Sequence, residues 1–438
     1  MPTTDTWTQG PQPGPVKEQQ RISSIDQLRG VALLGILLIN IAGMALPDPA
    51  YFDPSAYGGD TGWNLRAFFI NSVLFEGTMR GIFSMLFGAG VLLFAWKKEE
   101  GGTWSVLTGA WYKRCIWLIA FGLIHAYLLI WPGEILYYYG IVGMFIFTVR
   151  HASAKKLIGF SIFLFTIITL LNIHDARKVK HLQQEASMAM ALEEQGAELS
   201  VDQKQVMEAW SQKQTDYKPD IASREKVVWD MQLGYLSALR TTAPIALFFQ
   251  TSFFFRHGFL DVLSMMLLGM GLFKLGIFHG ERKAGFYGLM ALVGYGVGIP
   301  VNWYETALYI NDNFSVVSYF ANQRTYELGR IFTTMGHVGI VLLCLKSCFP
   351  GFLKRALAAV GRMALTNYVM HTLITTTLFV LFRQFGQWQR FELYYLILLI
   401  WILQLIGCPI WLRYFRFGPL EWVWRWLTYG NRPPFNKH

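Results

Sequence analysis

The stretch RISSIDQLRGVALLGILLIN, Arg21 to Asn40, decides the fold. It begins as a polar helix start and turns within a few residues into an apolar run. Ser23 and Asp26 have the S-x-x-D spacing of a capping box, which places an acid at a helix N-terminus. Arg29 follows, where its stem can lie on apolar surface while the guanidinium reaches water. A helix needs about 20 apolar residues to cross a bilayer, and the run 27–46 supplies them. Asn40 sits deep inside that run. Arg29 and Asn40 are about three turns apart, so they share one helix face, with Asp26 near it. A polar face turned to lipid is costly, so this one is expected to look into a helix bundle. Asp26, Arg29 and Asn40 thus mark a polar cavity face.

Further apolar runs fall at 80–96, 115–131, 135–150, 157–173, 258–279, 285–303, 330–349, 364–382 and 393–412. The chain is 53% hydrophobic and 15% charged, against about 25% charged in soluble domains. This is an all-α polytopic membrane bundle of about ten spans. The net charge of +10 sits in short loops between apolar runs and at the C-terminus rather than on one basic face with stacking aromatics. Nucleic acid is therefore excluded as a partner, and membrane lipids are expected.

Loop charge orients the bundle. Lys97, Lys98, Lys113 and Arg114 fall in one loop, Arg150, Lys155 and Lys156 in another, and Lys346, Lys354, Arg355 and Arg362 in a third. Ten alternating spans put these and the basic tail on one side, with both termini cytoplasmic. Arg177, Lys178 and Lys180 fall on the other side, in a long segment of the kind that translocates regardless of charge. The expected organisation is a disordered tail 1–20, an N-terminal bundle 21–173, an extracytoplasmic helical segment 174–257, a C-terminal bundle 258–412 and a basic tail 413–438. No basic n-region with a cleavage site precedes the first run, which is expected to stay as a signal anchor. Ser200 and Asp202 signal a helix start in the outer segment. Residues 241–255 are apolar but short, and could span, re-enter or lie in the interface. The four cysteines lie in or beside apolar runs and read as reduced thiols.

Several polar groups recur at helical spacing. Glu76 and Arg80 are i,i+4 at the outer end of a span, as a helix salt bridge or as an anion-binding arginine tuned by an acid. In GLIHAYLLIWPGEILYYYG, Pro132 and Gly133 make a turn between two spans, His125 lies roughly 9 Å below it by helical rise, and Glu134 opens the return helix. A carboxylate beside an imidazole makes a better base; a packed histidine bonded to a backbone carbonyl is the plainer alternative. His257 and Asp261 are i,i+4 at another outer mouth. Arg330 and His337, after Glu327, are seven apart on one face, and Asn367 and His371 are i,i+4 inside a span; polar interhelical packing would also account for these. SMLFGAG (84–90) echoes SMMLLGMG (264–271), as an internal repeat or as common packing residues, and Gly276 with Gly280 forms a GxxxG pair. No GxxxxGK[ST], GxGxxG in context or HExxH is present, and no metal site is expected.

RISSIDQLRGVALLGILLINI, FSMLFGAGV, GLIHAYLLIWPGEILYYYGIVG, GRMALTNYVMHTLI and FRFGPLEWVWRWLTYG together resemble the YeiB family of bacterial inner-membrane proteins, which end in the domain of unknown function 418. The resemblance covers nearly the whole chain after the tail. Glu134 stands where the family generally has aspartate. More distantly, the first span resembles that of transmembrane acyltransferases such as lysosomal heparan-glucosaminide N-acetyltransferase. That likeness implies transfer of an acyl group from acyl-CoA to a hydroxyl or amine across the membrane. Those enzymes carry their histidine in the loop after the first span. Loop 47–66 has none here, which leaves His125, with Glu134, as the catalytic candidate.

Three functions follow. An acyltransferase would use acyl-CoA as co-substrate, with no permanently bound cofactor, on an unknown small molecule or lipid-linked acceptor. A proton-coupled transporter would use Glu134, His125 and Glu76 as a relay or substrate contacts. A scaffold or sensor would use the outer segment as a partner surface. Self-association as a homodimer is left open.

Overall fold

The structure, a computed structural model, describes residues 22–99 and 104–437. The tail 1–20 and the side chains of Lys97 and Lys98 lie outside the described residues. The fold is an all-α polytopic bundle. Eight helical runs among the described residues are long and apolar enough to cross a membrane: 23–45, 62–95, 154–194, 235–274, 284–311, 316–347, 364–381 and 393–414.

In chain order, α1 is Ser23–Ala45, α2 Pro49–Phe52, α3 Gly62–Ile70, α4 Thr78–Glu99, α5 Trp104–Tyr127 and α6 Leu136–Thr148. The long α7, Ala154–Glu194, is followed by α8 Val201–Tyr217, α9 Ile221–Gln232, α10 Tyr235–Phe248 and α11 Phe259–Lys274. The C-terminal part holds α12 Ala284–Asn311, α13 Val316–Ser347, α14 Gly351–Arg362, α15 Ala364–Thr376, α16 Leu393–Tyr414 and α17 Pro419–Tyr429. Apolar α5 and α6 stand where the sequence places two more spans, and they pack on each other.

The start of α1 departs from expectation. Ile22 is the N-cap, and no side chain caps the helix. Ser23 is therefore already helical and makes no capping box. Ser24 Oγ instead donates to Phe278 O at 2.6 Å, and Asp26 pairs with Arg29 at 3.2 Å. Residues 241–255 belong to one helical run of 40 residues, Tyr235–Lys274, which passes through a wider π segment at Phe249–Gly258. Likewise α7 runs unbroken for 41 residues, about 60 Å at 1.5 Å per residue, so it carries the chain out of the bundle without a hinge. There α8 folds back along it, capped by the Ser200–Gln203 capping box, and buries Trp210 with Val179, Ala186 and Val316.

The sequence echo has a packing role. Gly88 of MLFGAG lies against the Met266 carbonyl, and Gly269 of MLLGMG lies against the Met85 carbonyl. Each glycine admits the other helix's backbone, so α4 and α11 cross with local two-fold character. Any side chain at either position would overlap the opposite carbonyl. Gly276 and Gly280, by contrast, are not a helix-packing pair. Their φ values of +74° and +76° bend the chain around a short turn at Ile277–His279, a conformation that favours glycine.

The basic segments gather at one end. Lys346 Nζ reaches Gly280 O at 3.0 Å, Gln27 Nε2 reaches Lys354 O at 3.3 Å, and Trp424 Nε1 reaches Arg114 O at 3.0 Å. The other end is closed by a layer of loops and α8–α9. Lys218 pairs there with Asp53 at 3.3 Å. Tyr57 donates to Gly386 O at 3.0 Å. Buried Arg390 donates to Ala50 O, and its burial pulls its pKa down to about 10.

Candidate functional site

Two polar networks lie inside the bundle. The first joins residues that are far apart in sequence. His125, near the end of α5, places Nε2 2.7 Å from the Thr372 hydroxyl of α15. Its Nδ1 faces Glu134 Oε1 at 3.6 Å. Glu134 accepts from the backbone N–H of Leu136 and from that of Tyr137 at 2.9 Å, so its carboxylate caps the start of α6, where a negative charge is favoured. Gly122 makes room for it, since a Cβ there would meet Glu134 Oε2 at 2.5 Å. The Tyr368 ring meets the imidazole edge to face at 4.9 Å. The side chains of His125 and Glu134 keep 1% and 0% of their surface.

The network continues along α15. His371 Nε2 meets Gln404 Oε1 at 3.1 Å. Asn367 Nδ2 donates to Val360 O at 3.2 Å and approaches Cys408 Sγ at 3.2 Å. What fixes α15 is Glu421 of α17. Its carboxylate accepts from Leu365 N at 2.6 Å, Thr366 N at 3.1 Å and Thr366 Oγ1 at 2.5 Å. A short amphipathic helix at the basic end thereby caps the helix that presents Thr372.

The second network is charged. Arg330 of α13 bonds Asp261 Oδ1 of α11 and Glu327 Oε2, both at 2.5 Å. Arg80 of α4 holds the other Asp261 oxygen at 3.2 Å. Asp261 is thus clamped by two arginines from two other helices. The expected helix pair Glu76–Arg80 does not form. The chain ends a π segment, Asn71–Phe75, at Glu76 and turns at Gly77 with φ +68° before α4 begins, so the two residues belong to different helical pieces. Glu76 instead accepts from Tyr51 at 3.4 Å. The Arg330 side chain keeps 1% of its surface, whereas Arg80 keeps 35%. Glu76 and Tyr51 are likewise half-buried.

The helix break at Gly77 frees carbonyls that lipid could not satisfy. Neighbouring helices supply the donors: Asn302 Nδ2 to Val73 O at 2.8 Å and His337 Nε2 to Leu74 O at 2.7 Å. Tyr295 OH meets His337 Nδ1 at 2.8 Å. A carbonyl only accepts, so Nε2 carries the proton and Nδ1 accepts from the tyrosine. Both nitrogens are then occupied, and His337 braces the break rather than joining Arg330. His257 packs against Phe253 at 5.7 Å and makes no pair with Asp261, whose oxygens face the arginines.

Asp26 and Arg29 lie at the basic end, where Gly30 and Gly361 let α1 and α14 touch backbone to backbone. Asn40 is half-buried, about 16 Å further along α1 by helical rise, so the three do not form one cluster. Sequence reasoning missed Thr372, Gln404, Tyr368 and Glu421. Thr372 adjoins His371 in NYVMHT, and Glu421 stands in GPLEW, yet neither carries a spacing that names its partner.

The family model described as "Protein of unknown function (DUF418)" matches residues 272–431. The chain is 30% identical over 426 residues to the protein YeiB of Escherichia coli (strain K12), covering 93% of this chain and 96% of the relative. It is 26% identical to YxaH of Bacillus subtilis (strain 168), over 97% of this chain and 98% of the relative. It is 27% identical to a 39.9 kDa protein in the amylase 3'region of Bacillus acidopullulyticus, over 96% and 97%. No solved structure matches the chain.

Proposed function

The chain belongs to the YeiB family of DUF418 membrane proteins, and from that premise we propose that it is a transmembrane acyltransferase of the bacterial inner membrane, with His125 as general base and Glu134 as the group that orients it. One observation carries this reading: a hydroxyl and a carboxylate flank the two nitrogens of one buried imidazole, with Thr372 Oγ1 2.7 Å from His125 Nε2 and Glu134 Oε1 3.6 Å from Nδ1, just beyond hydrogen-bond length. That is the order in which a base draws a proton from a nucleophile while a carboxylate steadies the resulting imidazolium.

Thr372 occupies the point to which an acceptor hydroxyl or amine would present its proton. The acceptor oxygen or nitrogen attacks the acyl thioester carbonyl, the carbon–sulfur bond breaks, and the proton held on Nε2 passes to the leaving thiolate. The Glu134 cap fixes the carboxylate to the backbone of α6, so it orients the ring without moving. Because the relay is buried, donor and acceptor reach it only when α5 and α15 part. The positive-inside rule assigns the basic end to the cytoplasm, the side from which acyl-CoA would come.

The test is transfer of labelled acetyl from acetyl-CoA to membrane acceptors. His125→Ala is expected to lower it at least 100-fold, the range of a lost general base. Transfer that survives unchanged overturns the assignment.

Proton-coupled transport is the second reading, favoured by the helix broken at Gly77 and the charged cluster of Arg80, Asp261 and Arg330 beside it, since discontinuous helices around midplane charges are typical of transporters. Substrate-dependent proton uptake into proteoliposomes, lost in Arg80→Gln and kept in His125→Ala, would move it to first place.

A further inference from the structure

The charged network does not balance. Three carboxylates, Glu76, Asp261 and Glu327, face two guanidiniums, Arg80 and Arg330. Asp261 is shared by both arginines, and Glu327 pairs with Arg330. Glu76 is the acid left over. Among the described residues it enters no salt bridge, and its one hydrogen bond is the long contact from Tyr51 at 3.4 Å. Glu305 of α12 adds a further carboxylate within electrostatic reach of Glu327, and its Oε1 has no hydrogen-bond partner. The nearby base His257 faces Asp261, Arg256 and Asp175 and not Glu76.

We propose that Glu76 binds the primary ammonium group of an organic amine, beneath the outer layer of loops. An unmatched acid among helix ends in a membrane protein is costly, and an added positive charge removes that cost. The surroundings of Glu76 supply the other acceptors. Tyr51, Tyr319 and Tyr326 lie within electrostatic reach of it, and all four side chains are half-buried, so each keeps surface for a ligand. A side chain at Gly77 would overlap the Tyr326 hydroxyl, which therefore lies on the helix break directly after Glu76. The Tyr326 ring also meets the Arg330 guanidinium at 5.2 Å, so its place is fixed from the charged side.

A primary ammonium has three N–H donors and accepts none. One carboxylate and neighbouring phenol oxygens are what it needs, and each phenol can accept from the ammonium while its own proton points elsewhere. An anion held by Arg80 fits less well. It would bring one more negative charge to a network already rich in acid, and Arg80 is held by Asp261 at 3.2 Å. The amine comes either from a solute or from the headgroup of an ethanolamine lipid; the chemistry is the same.

The experiment uses the full chain in a neutral detergent, with NMR saturation transfer and thermal melts. The probes are butylammonium, tetramethylammonium, butyrate, sodium ion and phosphatidylethanolamine. Butylammonium is expected to bind saturably, about tenfold more tightly than butyrate or tetramethylammonium, the effect of one charge-assisted hydrogen bond. Glu76→Gln is expected to abolish that preference, and Tyr51→Phe to weaken it a few-fold. Without ligand, Glu76→Gln is expected to melt at the same temperature or higher, because it removes an unmatched charge. A clear fall in that melt would show the charge to be matched within the protein and overturn the proposal. Phosphatidylethanolamine that binds through Glu76 and is displaced by butylammonium assigns the lipid headgroup as the source; butylammonium binding alone assigns a soluble amine. Equal binding of tetramethylammonium or butyrate, displacement of butylammonium by sodium at equal concentration, or binding unchanged in Glu76→Gln overturns the proposal. So does binding of neither amine, which leaves Glu76 holding only a proton. None of these arms depends on acyl transfer.

Discussion

The two interior networks solve one problem differently. Around His125, polar groups from α5, α15 and the turn before α6 meet as a ring, a hydroxyl and a capping carboxylate, with almost no accessible surface. Around Asp261, three helices contribute two arginines and two acids, and one arginine keeps a third of its surface open. The charged cluster is the more costly to disturb, because a buried charge stripped of its partner has no water to turn to. The uncharged contact between Thr372 and His125 is cheaper to disturb. Structural cost and proposed role therefore separate: the stronger cluster joins α4, α11 and α13, and the weaker one holds the proposed base.

That contrast can be broken from either side. Asp261→Asn leaves Arg330 and Arg80 facing a neutral group, and is expected to cost about 3–5 kcal/mol, seen as a large fall in melting temperature or loss of folded protein. A fall no larger than that of an ordinary surface change would refute the lock. Glu421→Ala removes three hydrogen bonds from the start of α15 and is expected to cost about 2–3 kcal/mol. Because α15 carries Thr372, acyl transfer should fall too, although residue 421 is not in the relay; Glu421→Gln should recover part of both. Thr372→Val keeps the shape and removes the hydroxyl, at about 1–2 kcal/mol for the unpaired imidazole nitrogen. If Thr372 only marks the acceptor's place, transfer persists in this variant. Ser200→Ala breaks the capping box of α8 and is expected to cost about 1 kcal/mol, measured as faster amide exchange in the outer helices with the relay's activity intact.

How far the sequence could be read follows from what each signal encodes. Apolar run length speaks of spanning directly, so the bundle was legible. Helical spacing speaks only of residues on one helix. It joined Glu76 to Arg80, where Gly77 breaks the helix, and His257 to Asp261, where a π segment shifts the faces. The partners that matter cross between helices: Arg80 with Asp261, His125 with Thr372, Glu421 with Thr366. Those depend on the register of packed helices, which no local pattern states. The Gly88 and Gly269 echo is the exception, because close helix contact demands small residues, and both sides of the crossing carry the same six-residue pattern. His125 and Glu134 were found together because a turn of Pro132 and Gly133 makes that neighbourhood local.

The most direct test of the central claim compares His125→Ala with Arg80→Gln for acetyl transfer from acetyl-CoA in membranes holding equal amounts of folded protein. The relay account predicts at least a 100-fold loss for His125→Ala and a change within a few-fold for Arg80→Gln. Full transfer by His125→Ala, with loss confined to Arg80→Gln, would contradict it and place the chemistry at the charged cluster.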